Sequence, residues 1–178
     1  FGVMIHDFEF FMENHEVLQE LIKLQGQGFI EKIGFSLYYP NQLIYLLENN
    51  IYFDFIQIPY NVLDRRFEVY FDTLNALGKE IHVRSVFLQG LFFMDTEKLS
   101  AHFNAIKGLL KELQSEVNSY NSTMHSACLR FVHNNDKIDC VLVGVTSHKE
   151  FLENISSLSD STDISFLQKF KSNRSEER

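Results

Sequence analysis

The chain has 178 residues, enough for one domain with a substantial core and too few for two ordinary ones. At 45% hydrophobic, 14% aromatic and 22% charged, its make-up is that of a soluble globular protein. A net charge of −8 sets it against nucleic acid, because no basic stripe can neutralise phosphates. It leaves room for an anionic cofactor held by helix N-termini and backbone N–H groups.

Cys128 and Cys140 are the only cysteines and lack metal-ligand spacing, so the expectation is a buried, reduced pair in a cytoplasmic protein without a metal site. No apolar run reaches the roughly 20 residues of a membrane-spanning helix, and no membrane partner is expected. Phe1 runs straight into an apolar stretch with no Met and no basic leader, as if cut from something longer.

In chain order, short apolar runs alternate with amphipathic helices. Residues 2–7 (GVMIHD) form a first strand. Asn14 caps a helix whose buried stripe is Val17, Leu18, Leu21, Ile22 and Leu24. Residues 33–39 (IGFSLYY) form a second strand, and Pro40 starts a helix that stops near Asn49 and Asn50. Residues 53–60 (FDFIQIPY) are the third strand, after which Asp64 opens a helix ending at Gly78. Residues 81–87 (IHVRSVF) are the fourth, followed by a long connection, a helix from Leu99 to about Tyr120 and a second from Met124 to His133. Residues 138–145 (IDCVLVGV) are the fifth strand, and Lys149 to Leu158 its helix. The tail from Ser159 is polar, with an apolar patch at Ile164, Phe166, Leu167 and Phe170, and frays into NRSEER.

Strands apolar on both sides and separated by helices indicate a parallel sheet covered by helices, either doubly wound or a closed barrel. No G-x-G-x-x-G follows any strand, against a doubly wound dinucleotide fold. His6, Ser36, Gln57, Arg84, Ser85, Thr146 and Ser147 cluster instead at strand C-terminal ends, which is the active-site face of a (β/α)8 barrel.

Three stretches then carry a resemblance. FDFIQIPYNVLDR (53–65) sets Asp54, Gln57, Tyr60 and Asn61 in the pattern of the sixth strand of the aldo/keto reductases. VRSVFLQGL (83–91) is similar to that family's seventh strand and loop, and IDCVLVGVTSHKEFLEN (138–154) to its eighth strand and helix. The match runs over residues 2–158, which resemble the last five βα units of a (β/α)8 TIM-type barrel, with 159–178 as a polar tail. The resemblance implies carbonyl reduction to an alcohol by NADPH, with NAD as the lesser alternative.

Residue by residue, it implies that His6 orients the carbonyl and stabilises charge on its oxygen, although in an apolar run a histidine is more often a hydrogen-bonded core residue. Ser36 and Gln57 resemble the pair that holds the nicotinamide carboxamide. Leu37 stands where the family often has an asparagine, and Tyr38 is the candidate to compensate. Arg84 takes the place of an aromatic ring that stacks on the nicotinamide, with a salt-bridged surface arginine the equal alternative. Ser85, Leu88, Gln89 and Gly90 resemble a pyrophosphate clasp. Gly144, Thr146, Ser147, Glu150 and Asn154 match the adenosine end, where Ser147 is equally an ordinary helix cap. Lys149 or His148 would meet a 2′-phosphate, and Glu150 would repel it.

The family's catalytic aspartate, tyrosine and lysine have no counterpart in this sequence. The alternative is therefore a non-catalytic nucleotide- or partner-binding partial barrel, associating through two long unpaired sheet edges. The Phe8, Phe10, Phe11 stretch is either a substrate-pocket wall or an apolar packing loop. The VRSVFLQGL loop resembles reductases of bacterial surface-polysaccharide pathways, a hint of a keto-sugar substrate.

Overall fold

In a computed structural model, residues 1–170 are described and place five parallel strands in the order β1-β2-β3-β4-β5. These are β1 (Gly2–Ile5), β2 (Lys32–Ser36), β3 (Phe55–Pro59), β4 (Glu80–Arg84) and β5 (Cys140–Val141). Parallel neighbours consecutive in the chain need a crossover between them, and helices supply it, as a βα repeat demands. The edge strands are short, four residues in β1 and two in β5, so the expected long unpaired edges are absent from the described residues. The chain divides into two compact units.

The first unit comprises Phe1–Pro59, Arg66–Arg84 and Lys137–Cys140. Its helices are α1 (Phe8–Glu13), α2 (Glu16–Gly26), α3 (Pro40–Glu48) and α4 (Phe71–Ala76). Alternation along each strand sends Ile33, Phe35, Ile56, Ile58, Ile81 and Val83 to one face, where all six are fully buried. The other face is not apolar, contrary to expectation. In register across it run Gly34 with Phe55 and Glu80, then Ser36 with Gln57 and His82, with Arg84 beyond. Lys32 and His82 both bond the Glu80 carboxylate there.

Two aspartates fasten this sheet. Asp54 donates its N–H to the Ile33 carbonyl, while its carboxylate accepts from Ile33 N–H at 2.8 Å, from Gln25 Nε2 and from the Tyr52 hydroxyl. Asp139 repeats the device on Ile81. Asp54, part of the family pattern, is thus a strand clamp.

Several expected boundaries move for visible reasons. An additional helix, α1, precedes the expected first one: Asp7 caps it by accepting from Phe10 N–H, and Asn14 closes it by donating Nδ2–H to the Phe10 carbonyl at 2.9 Å. Asn14 therefore ends a helix and does not start one. The Phe stretch is helical, with Phe11 fully buried 4.9 Å from the Phe35 ring and Phe10 exposed.

The second unit comprises Tyr60–Arg65, Ser85–Asp136 and Val141–Arg178. Its helices are α5 (Asn104–Ser119), α6 (Met124–His133) and α7 (His148–Leu158). Leu110, Leu113 and Val117 of α5 recur at helical spacing and are fully buried, as are Ala127 and Val132 of α6. Asp64 opens no helix. Asn61 Oδ1 captures the N–H groups of Leu63 and Asp64, folding 61–64 into a side-chain-capped loop instead. The cysteines are free; burial pushes the Cys128 thiol pKa up, while Cys140 is only half-buried.

The tail is more ordered than its polarity suggests. A 3-10 turn, Ser165–Lys169, buries Leu167 and is followed by buried Phe170, while Phe166 stacks 4.2 Å from Tyr120. NRSEER lies outside the described residues. Asp160 anchors the tail to α6: its carboxylate accepts from the Ser126 hydroxyl and from the N–H and hydroxyl of Thr162, and lies 3.7 Å from Arg130. These donors hold its pKa down to about 2 from 3.8, the Ser126 hydroxyl contributing most.

A depressed carboxylate stabilises the fold above its unfolded pKa and loses that contribution as pH falls towards the folded value. The wild-type urea midpoint is therefore expected to drop relative to Asp160→Asn as pH falls from about 4 to about 2. Parallel curves for the two proteins would refute this.

Candidate functional site

In the first unit, the C-terminal ends of four consecutive strands each present a polar group. His6 follows β1 directly and is exposed. It lines a pocket of about 290 Å³ with Asp7, Phe8, Glu9, Tyr38, Tyr39 and Gln42. Phe8 is thus both a pocket wall and a packing residue, its ring 6.4 Å from Phe35 and 5.9 Å from Tyr45.

Ser36 and Gln57 are register partners on β2 and β3, so their side chains share a face. They are 1% and 7% exposed. Ser36 Oγ has no hydrogen-bond partner among the described residues. A buried hydroxyl left unsatisfied costs stability, and such groups ordinarily find partners. The pair offers acceptor and donor capacity together, which matches the needs of a carboxamide.

Arg84 is half-buried. Its guanidinium sits 4.2 Å from the Tyr38 ring centroid, and Nη2–H donates to the Leu37 carbonyl at 3.3 Å. Tyr38 therefore serves Arg84 as a platform, a use its position after Leu37 did not reveal.

In the second unit, residues 85–90 form an unusual loop. Ser85, Leu88, Gln89 and Gly90 have φ of 61°, 47°, 55° and 83°. Left-handed backbone costs a non-glycine residue on the order of 1 kcal/mol, so three such residues within six mark a shape held for a purpose. Successive N–H groups in such turns converge into an anion-binding concavity. Asn61 pins the loop's start, donating Nδ2–H to the Ser85 carbonyl at 3.1 Å. Its partner in the motif, Tyr60, stacks on Phe131 at 5.8 Å.

The same unit holds a pocket of about 650 Å³ whose wall includes Gly90, Gly144, Glu150 and Asn154. Thus four of the expected adenosine and pyrophosphate residues meet. The wall also includes Phe87, Phe93 and His125, which sequence reasoning passed over. The His125 ring lies 4.6 Å from Phe87 and 5.9 Å from Phe93, and its Nε2–H donates to Asn154 Oδ1 at 2.5 Å. Aromatic faces next to an amide suit a flat heterocycle. Phe87 reads as the end of the fourth strand, Phe93 falls in the long connection, and His125 has no motif around it.

Thr146 and Ser147 are exposed, and their bonding is internal. Ser147 caps α7 by accepting from Glu150 N–H at 3.2 Å, and the Glu150 carboxylate accepts the N–H and hydroxyl of Thr146. These bonds lower the Glu150 pKa and set a negative charge at the start of α7, where a phosphate would compete with it. Lys149 is exposed and 3.6 Å from Glu153.

A parallel five-stranded sheet with polar side chains at its strand ends defines the class of fold as α/β. Residues 3–173 match the model of the aldo/keto reductase family, and the chain belongs to that family. Among solved structures it is similar to an aldo-keto reductase of Bacillus halodurans. In the holo form the TM-score is 0.76 at 20% identity over 94% of this chain and 58% of that one. The apo form gives 0.74 at 20% identity, covering 94% and 59%. A glycerol dehydrogenase of Gluconobacter oxydans gives 0.70 at 16% identity, covering 94% of this chain and 56% of that one. These likenesses speak to the fold, and the chain spans under three-fifths of each relative's length. Comparison with curated protein sequences gives no match.

Proposed function

We propose that this chain supplies the cofactor-binding part of an NADP(H)-dependent oxidoreductase that reduces a carbonyl to an alcohol. The observation that carries the reading is the buried Ser36 hydroxyl, without a partner among the described residues and in register with Gln57 on the polar face of the sheet. Ser36 and Gln57 would take the nicotinamide carboxamide, and Arg84 would lie against the ring. The clasp of Ser85, Leu88, Gln89 and Gly90 would take the pyrophosphate. Phe87, Phe93, His125 and Asn154 suit the adenine, with Gly144 allowing close approach.

A bound nicotinamide cofactor supplies the hydride. His6, exposed in its pocket beside Tyr38 and Tyr39, can donate an N–H to a substrate carbonyl oxygen and stabilise negative charge there. Preference for NADP over NAD is assigned to Lys149, with Glu150 acting against it. The substrate is a small aldehyde, ketone or keto-sugar, and a cytoplasmic location accompanies the reading.

The test is a fluorescence titration with NADPH and NADH, followed by aldehyde reduction. Gln57→Ala is expected to weaken NADPH binding about tenfold, the loss of roughly one to two buried hydrogen bonds. Unchanged affinity in Gln57→Ala would sink the assignment.

A second reading is favoured by one observation: no residue of this sequence stands for the family's tyrosine, lysine and aspartate. On that reading the chain binds nucleotide without turnover. Tight NADPH binding with no aldehyde reduction would select it.

A further inference from the structure

In the pocket of the second unit, the direction of one hydrogen bond decides what the wall can recognise. His125, the second residue of α6, meets Asn154 of α7 there, with Nε2 2.5 Å from Oδ1. A bare ring nitrogen and an amide oxygen would repel at that distance, so Nε2 carries the proton and Oδ1 accepts it. The ring is itself held by packing. It is half-buried, lies 4.6 Å from the Phe87 ring, and stacks on Phe93 with an interplanar angle of 30°.

An asparagine amide is two-sided: one edge accepts, the other donates, and a flip about its last bond exchanges them. Asn154 is 7% exposed, so whichever edge faces the pocket is the one a ligand meets. The carboxylates of Glu150 and Glu153 in the same wall only accept.

We propose that His125 is a positioning residue that locks the Asn154 amide with its Nδ2–H groups towards the pocket, so that the pocket holds a flat heterocycle through an acceptor on its ring. The inference rests on the adenosine assignment above and adds how the base is read. Adenine carries unprotonated ring nitrogens that accept such a bond. With Oδ1 taken by His125, the amide presents them an N–H. Without His125, the amide turns over in part of the molecules and meets those nitrogens oxygen first, lone pair against lone pair. Asn154 touches the ligand, and His125 acts through it.

The first measurement needs no variant. Long-range proton–nitrogen NMR spectra of the protein show which ring nitrogen of His125 is protonated, and a proton on Nε2 is expected. A bare Nε2 means that the amide is turned the other way, and overturns the proposal. The second measurement takes dissociation constants by calorimetry for ADP-ribose, the adenosine half of the cofactor, and for reduced nicotinamide mononucleotide, the other half. His125→Phe keeps a flat ring against Phe87 and Phe93 and loses the donor. It is expected to weaken ADP-ribose about tenfold and to leave the mononucleotide unchanged. In an Asn154→Ala background the same substitution is expected to add little. Full ADP-ribose affinity in His125→Phe, equal weakening of both halves, or a full further loss on top of Asn154→Ala each overturn the proposal. Failure of the wild type to bind ADP-ribose overturns the adenosine assignment, and this inference with it.

Discussion

Gly34→Val is expected to cost about 3 kcal/mol of stability, seen as a lowered urea midpoint. Gly34 is buried in the middle of β2, and its register partner on β3 is Phe55. A Cβ built on Gly34 would lie 2.4 Å from Cε2 of that ring and 2.6 Å from its Cδ2, far inside van der Waals contact. The ring cannot simply turn away, since it also stacks on His82 with centroids 4.6 Å apart and lies only 6% exposed. The glycine is therefore there for room, and the strand gives up side-chain packing to seat an aromatic ring across it. The companion measurement is a double-mutant cycle. Adding Phe55→Ala, itself worth about 3 kcal/mol as a cavity, is expected to cost much less in the Gly34→Val background than in wild type. Strict additivity would show that the clash is not the cause.

Arg65→Met is the second large effect, about 3 kcal/mol, and it acts on the far end of the sequence. Arg65 is 5% exposed. Its Nη2–H donates to the Leu167 carbonyl at 2.6 Å, and Nη1–H donates to the carbonyl and side chain of Gln168 at 3.3 and 3.0 Å. Nε–H donates to the Val62 carbonyl, and the whole plane lies 4.5 Å from the Phe131 centroid. A planar fork reaches all these acceptors at once, and an ammonium does not, so Arg65→Lys is expected to recover little. The specific readout is amide exchange at Phe170, whose N–H bonds the Leu167 carbonyl. Exchange there should accelerate well beyond the change in α5. Equal acceleration everywhere would mean that Arg65 stabilises the fold generally and does not hold the tail.

The site was legible in parts. Ser36 and Gln57 could be singled out because they sit at strand ends within a motif, and the structure sets them in register with the Ser36 hydroxyl unsatisfied. Gly90, Gly144, Glu150 and Asn154 do line one pocket. Phe87, Phe93 and His125 escaped because a wall assembled from positions between Phe87 and Ser157 leaves no local pattern. Arg84 was undecided between a stacking and a surface role, since alternation alone does not say which partner a long side chain finds. Tyr38 settles it.

What the sequence determined by itself was the alternation of strands and helices, and hence the parallel sheet. That information is local: hydrophobic period, Pro40 at a helix start, Ser147 at another, Gly78 with φ of 67° at a stop. The segment 124–133 was readable as a helix end to end for the same reason. What only the tertiary structure decided depends on partners distant in the chain. Asn61 cancelled the helix start at Asp64 by taking its N–H, and Arg65 ordered a tail that its own polarity would have left loose. The sheet also kept a polar face, since Lys32, Glu80 and His82 satisfy one another across strands that each look apolar alone. Local propensity sets the elements, and long-range hydrogen bonds choose where they begin, end and meet.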